Sequence, residues 1–154
     1  MLSSALLSTF HLFALAIGLP GVFLRGMALR GLATDKTALR RLFIADNFWG
    51  IAAVLWIGTG LTRVFGNFEK GSGYYLNSST FLIKMTLFGL VFALELWPMI
   101  TFIKWRRAQA KGQEIDTSNA PKLARVNDVE LALILAIPFF ASMMARGIGF
   151  AWFK

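Results

Sequence analysis

Residues 81–103 read FLIKMTLFGLVFALELWPMITFI, and this stretch decides the fold. It holds two ionisable side chains, Lys84 near one end and Glu95 towards the other, in an otherwise apolar run. A helix crosses the hydrocarbon core of a bilayer with about 20 mostly apolar residues. Runs of the same kind stand at 2–24, 42–65 and 131–153, and together the four occupy most of the 154 residues. The sequence therefore predicts an all-α protein: one integral membrane domain over 1–154, a four-transmembrane-helix antiparallel bundle with crossing angles of about 20°.

Composition agrees with the lipid bilayer as the first partner. Apolar residues make up 56% and the mean hydropathy is +0.61. Cysteine is absent, so disulfides, cysteine-ligated iron–sulfur clusters and thiolate zinc sites are excluded. The net charge of +8 does not point to nucleic acid, because lipid headgroups and membrane orientation both favour basic flanks. Arg25, Arg30, Lys36, Arg40 and Arg41 surround the first loop; Lys104, Arg106, Arg107, Lys111, Lys122 and Arg125 surround the third. The second loop has Arg63 at its edge and Lys70. The positive-inside rule makes loops one and three cytoplasmic and places both termini outside, periplasmic in a bacterial inner membrane. Residues 108–127, with Pro121, read as the most polar cytoplasmic linker.

Span one carries Ser4, His11, Gly18 and Arg25 at intervals of seven, close to two helical turns, so they share a small or polar face directed into the bundle. Span two repeats the interval with Trp49, Trp56 and Arg63, and has Asp46 at its start. His11, the sole histidine, is read either as a helix–helix hydrogen-bonding group or as an axial ligand to haem iron. Lys84 either snorkels to the interface or turns inward. Glu95 either approaches the headgroups or pairs with Arg25 or Lys104. Span four is preceded by Asn127 and Asp128, further polar candidates at a helix end, and closes near Arg146. An ionisable group within a span is a functional candidate by default. His11, Arg63, Lys84 and Arg146 fall in the outer half, where Glu69 is the sole acid. That imbalance asks for an anion: a lipid phosphate, a carboxylate substrate or the propionates of a porphyrin.

The motifs Asp46-x-x-Trp49-Gly50-Ile51-Ala52-Ala53, Thr59-Gly60-Leu61-x-Arg63, Glu69-Lys70-Gly71-x-x-Tyr74-Tyr75, Phe81-x-x-Lys84, Glu95-Leu96-Trp97-Pro98-Met99 and Met144-Ala145-Arg146-Gly147 resemble the domain of unknown function 2214 family of bacterial membrane proteins over nearly the whole chain. That family brings no activity with it. A second pattern does. His11, Lys84 and Arg125-Val126-Asn127-Asp128 are similar to positions in HemJ-type protoporphyrinogen oxidases, which bind haem b. That resemblance implies an oxidoreductase with His11 as metal ligand and Lys84 as catalytic proton donor or propionate partner; the outer-half charge imbalance adds Arg63 and Arg146 as cofactor-binding candidates. The HemJ type has a second histidine that is missing here. Met85, Met99, Met143, Met144, water or a histidine from a second copy in a homo-oligomer would complete the iron. The alternative is a non-catalytic scaffold, accessory subunit or anion- or lipid-binding transport component.

Overall fold

The computed structural model describes residues 2–66, 73 and 78–148. Four helices follow in chain order: α1 (Leu2–Gly31), α2 (Ala38–Phe65), α3 (Ser79–Ala110) and α4 (Ala120–Ala145). Each is long and apolar enough to cross a membrane. The loop motif holding Glu69, Lys70, Tyr74 and Tyr75 lies outside the described residues.

Chain direction alternates, as two sets of contacts show. Arg25, late in α1, meets Asp46, early in α2. His11, early in α1, meets Thr59, late in α2. The end bearing loops 32–37 and 111–119 is the basic-loop end; the opposite one is the terminal end. Large apolar side chains such as Val54 and Phe139, 72% and 63% exposed, cover the outside. In water such a surface would be a liability. Against lipid tails it is the required finish.

Without a hydrophobic force between helices in lipid, close backbone approach holds them together. The sevenfold stripe of α1 provides it. A Cβ on Gly18 would stand 3.0 Å from Ala52 Cβ, and one on Gly21 would stand 3.1 Å from Trp49 N. Trp49 and Trp56 are buried against this face, with Ala14, Val22, Val91 and Ile134. The most extensive packing is therefore α1 on α2, followed by α3 on α4 and α1 on α4. α2 and α3 stand farther apart, joined by long side chains: Trp56 to Phe88, and Arg106 to Asp46.

The helices reach beyond the expected spans at the basic-loop end, α2 from Ala38 and α3 to Ala110 among them, and two of these extensions matter. α1 continues to Gly31, so Arg25 lies within the bundle and is not a loop charge. α4 starts at Ala120, with Pro121 in its first turn, where the missing N–H of proline costs nothing. Pro121 thus begins a helix where the sequence suggested a linker, and the true connection is 111–119. Gly112, at φ 66°, makes the left-handed step that ends α3. In the two basic-end loops, hydrogen bonds from the Thr37 hydroxyl and backbone, then Arg41, hold the Asp35 carboxyl below its ordinary pKa, and the Ser118 backbone N–H does the same for Asp116.

Candidate functional site

Two polar centres lie inside the bundle, one towards each end. At the basic-loop end the centre is Arg25, whose side chain has no exposure. Its guanidinium has five N–H donors, and the structure supplies five acceptors. Nε donates to Asn127 Oδ1 at 2.7 Å. Nη1 donates to Glu95 Oε1 at 2.8 Å and, more loosely, to Asp46 Oδ1 at 3.5 Å. Nη2 donates to Glu95 Oε2 at 2.9 Å and to Glu130 Oε2 at 2.5 Å. All four helices thus meet on one side chain. Asn127 is oriented from both ends, since its Nδ2 donates to Val22 O at 3.0 Å. Trp49 and Phe102 place their rings 6.0 and 5.8 Å from the guanidinium carbon.

Arg106 closes the same end. Its Nη2 donates to Phe43 O, Asp46 Oδ2 and Asn47 Oδ1, each at 3.0 Å, and its guanidinium lies 4.4 Å from the Phe43 ring centre. Below it Phe43, Phe102, Trp105, Leu42 and Leu123 form a packed apolar layer. Asp128 stands apart from this cluster and pairs with Arg30 on the surface.

Glu130 was not singled out from the sequence. It precedes an apolar run and reads as an interfacial acid if the span begins at Leu131. With the helix starting at Ala120, Glu130 lies ten residues in, about 15 Å at 1.5 Å per residue. The signal was there in the spacing: Asn127 and Glu130, three apart, share a helix face.

The terminal-end centre is a cavity of about 350 Å³ between α2 and α3, with His11 from α1 and Ile137 from α4 at its back. Among the described residues its wall is apolar apart from His11 and Lys84. Leu61, Phe65, Leu82 and Met85 line it and are themselves exposed, so it opens sideways where α2 and α3 diverge. Cavities of this size and character are typical small-molecule sites. Lys84 is half-buried, its amine 5.2 Å from the Phe81 ring.

The proton on His11 can be placed. Thr59 Oγ1 lies 2.6 Å from Leu55 O, and a carbonyl can only accept, so the single hydroxyl hydrogen goes there. Thr59 Oγ1 must then accept from His11 Nδ1, 2.8 Å away. In the neutral imidazole this leaves the lone pair on Nε2. A metal-binding histidine is commonly fixed in this way, its other ring N–H donated to an oxygen.

The remaining sequence candidates are elsewhere. Arg146 is exposed and donates to Ser142 Oγ, and Arg63 is half-buried; neither lines the cavity. Of the methionines considered as iron ligands, Met85 alone is among the lining residues. The two centres are bridged by rings: His11 to Trp56 at 6.1 Å, Trp56 to Trp49 at 6.5 Å, and Trp49 to Arg25.

The profile of the predicted membrane protein family DUF2214 matches residues 3–149. The chain belongs to that family. No curated protein and no solved structure matches it. The family match spans both centres, and its description assigns chemistry to neither.

Proposed function

We propose that the protein is a membrane-embedded binder of an apolar molecule bearing an acidic group, taken into the terminal-end cavity from the side, and we name haem b as the candidate ligand. The observation that carries this reading is the convergence of His11 and Lys84, 73 positions apart (84 − 11), on one otherwise apolar cavity. A cation and an imidazole on an otherwise apolar wall suit an apolar ligand with an acidic group. Lys84 supplies the charge, and its stem packs with the apolar body.

The donor set fits haem. His11, its tautomer fixed by Thr59, would hold the iron, and Met85 adds a thioether among the lining residues. Haem in this position would supply one-electron redox chemistry. The protein's part would be to hold the iron through His11, neutralise a propionate through Lys84 and exclude water with Trp56, Phe81 and Phe88. A specific observation favours the second reading, a carrier or sensor of a fatty-acid-like amphiphile: the lateral gap between α2 and α3 suits a ligand that arrives through lipid.

One experiment separates them. Full-length protein purified in detergent from haem-supplied cells is scanned in the visible range, then titrated with a fluorescent fatty acid. A Soret band lost in His11→Ala supports haem. Colourless protein that takes up the fatty acid, with uptake weakened in Lys84→Ala, supports the second reading. Neither signal would remove the cavity as a ligand site. We further propose a bacterial inner-membrane orientation with the basic-loop end cytoplasmic. A periplasm-dependent reporter fused after Lys111 should then be silent, and one fused after Gly73 active.

A further inference from the structure

The charges gathered at the basic-loop end do not cancel. The charged or polar groups that face this cluster, among the described residues, are Arg25 from α1, Asp46 and Asn47 from α2, Glu95 and Arg106 from α3, and Asn127 and Glu130 from α4. Arg25 and Glu95 form a pair with two parallel bonds, the strongest geometry available to a guanidinium. Arg106 and Asp46 form a second pair at 3.0 Å. These four charges balance two against two. Glu130 is a third carboxyl with both cations already matched.

Its surroundings make that surplus costly. The Glu130 side chain is 0% exposed. Oε2 accepts from Arg25 Nη2, the nitrogen that also serves Glu95 Oε2, while Oε1 has no hydrogen-bond partner among the described residues. A lone ionised carboxylate removed from water costs far more than a neutral polar group, and like charges converging on one site disfavour ionisation of both. A hydrogen on Oε1 removes the surplus charge and leaves Oε2 as the acceptor that Arg25 requires.

We infer that Glu130 is a proton-binding site: in the folded bundle near neutral pH it is a neutral carboxylic acid held against Arg25, with its hydrogen on Oε1. The step is simple protonation. One proton from the aqueous phase forms the Oε1–H bond, and no other bond changes. The folded chain then carries one proton more at this position than the unfolded chain, in which an accessible glutamate is ionised above about pH 4.3. The site is separate from the terminal-end cavity and does not depend on what that cavity binds.

The sign of the linkage follows. With one more proton bound in the native state, stability falls as pH rises, and the folding equilibrium constant drops up to about tenfold per pH unit. That slope spans the window between ordinary glutamate ionisation and the pH at which Glu130 itself ionises.

The test uses full-length protein in detergent. Infrared spectra near neutral pH should show a protonated-carboxyl C=O band that disappears in Glu130→Gln. The amide is neutral and keeps an oxygen for Arg25, so this variant should fold and hold its neutral-pH melting temperature, while losing the downward slope of stability with pH. Three results overturn the inference: no such band in the wild type, a band that survives Glu130→Gln, or a Glu130→Gln protein that is unfolded or strongly destabilised at neutral pH. The last is what an ionised Glu130 would give. Stability that instead rises with added sodium or magnesium, with no carboxyl band, would assign the site to a metal cation and equally overturn it.

Discussion

At the basic-loop end four helices are drawn onto one guanidinium, whereas at the terminal end α2 and α3 part around an apolar space. Both ends contain ionisable side chains in membrane-spanning helices, and they treat them oppositely. Arg25 is enclosed, with every donor answered from within the chain. Lys84 stands at the wall of a cavity that opens sideways. The difference teaches what each can do. A charge enclosed by four helices fixes geometry, and a charge at a cavity wall sets the polarity of the space beside it.

The largest effect should come from breaking the closed end. Arg25→Met leaves Glu95, Glu130 and Asp46 without their common partner. Removing one side of a buried ion pair costs about 3–5 kcal/mol, so detergent melting should show a heavily destabilised or unfolded protein. Arg25→Lys should recover part of this at most, because an ammonium cannot present a planar fork. A wild-type-like melting temperature in Arg25→Met would end the view of this cluster as the bundle's clamp.

Next comes the shared seam. Gly21→Val pushes a branched side chain into the Trp49 backbone, and overpacking of this kind costs about 1–3 kcal/mol. Gly50→Val should be close to silent, since a Cβ there meets nothing within 4 Å. Comparing the two melting temperatures tests whether the α1–α2 contact runs along the Gly18–Gly21 face.

The open end should be tolerant of change in stability and sensitive in binding. Thr59→Val removes the acceptor of His11 Nδ1 and should cost about 1 kcal/mol. If the cavity is a ligand site, Gly60→Phe, whose ring would enter it beside His11, should abolish uptake of haem or fatty acid while the melting temperature barely moves. A large stability loss with unchanged binding would reverse the comparison. Smallest of all, Asp128→Asn removes an exposed pair with Arg30, which is worth about 0–1 kcal/mol, and should leave both melting and binding near wild type.

Much of this was legible in the residues. The run at 81–103 and its three companions gave the four helices, because length and apolarity alone decide what a bilayer accepts. The interval of seven in Ser4, His11, Gly18 and Arg25, and in Trp49 and Trp56, marked one face on each of α1 and α2, because helical periodicity is local, and the packed structure joined the two. Asp46, Glu95 and Asn127 stood out as ionisable or polar groups in or beside apolar runs. Their meeting on Arg25 could not be read, because it depends on the relative heights of four helices, and those heights rest on where each helix begins. One misplaced boundary, Leu131 for Ala120, was enough to leave Glu130 at the membrane edge and out of the cluster. Arg63 and Arg146 shared an end of the bundle with His11 and Lys84 in sequence terms, yet only the last two line the cavity. Composition and periodicity fix what each helix is and which face it buries. Which faces leave a gap, and which charges close on one another, is settled only when all four helices are packed together.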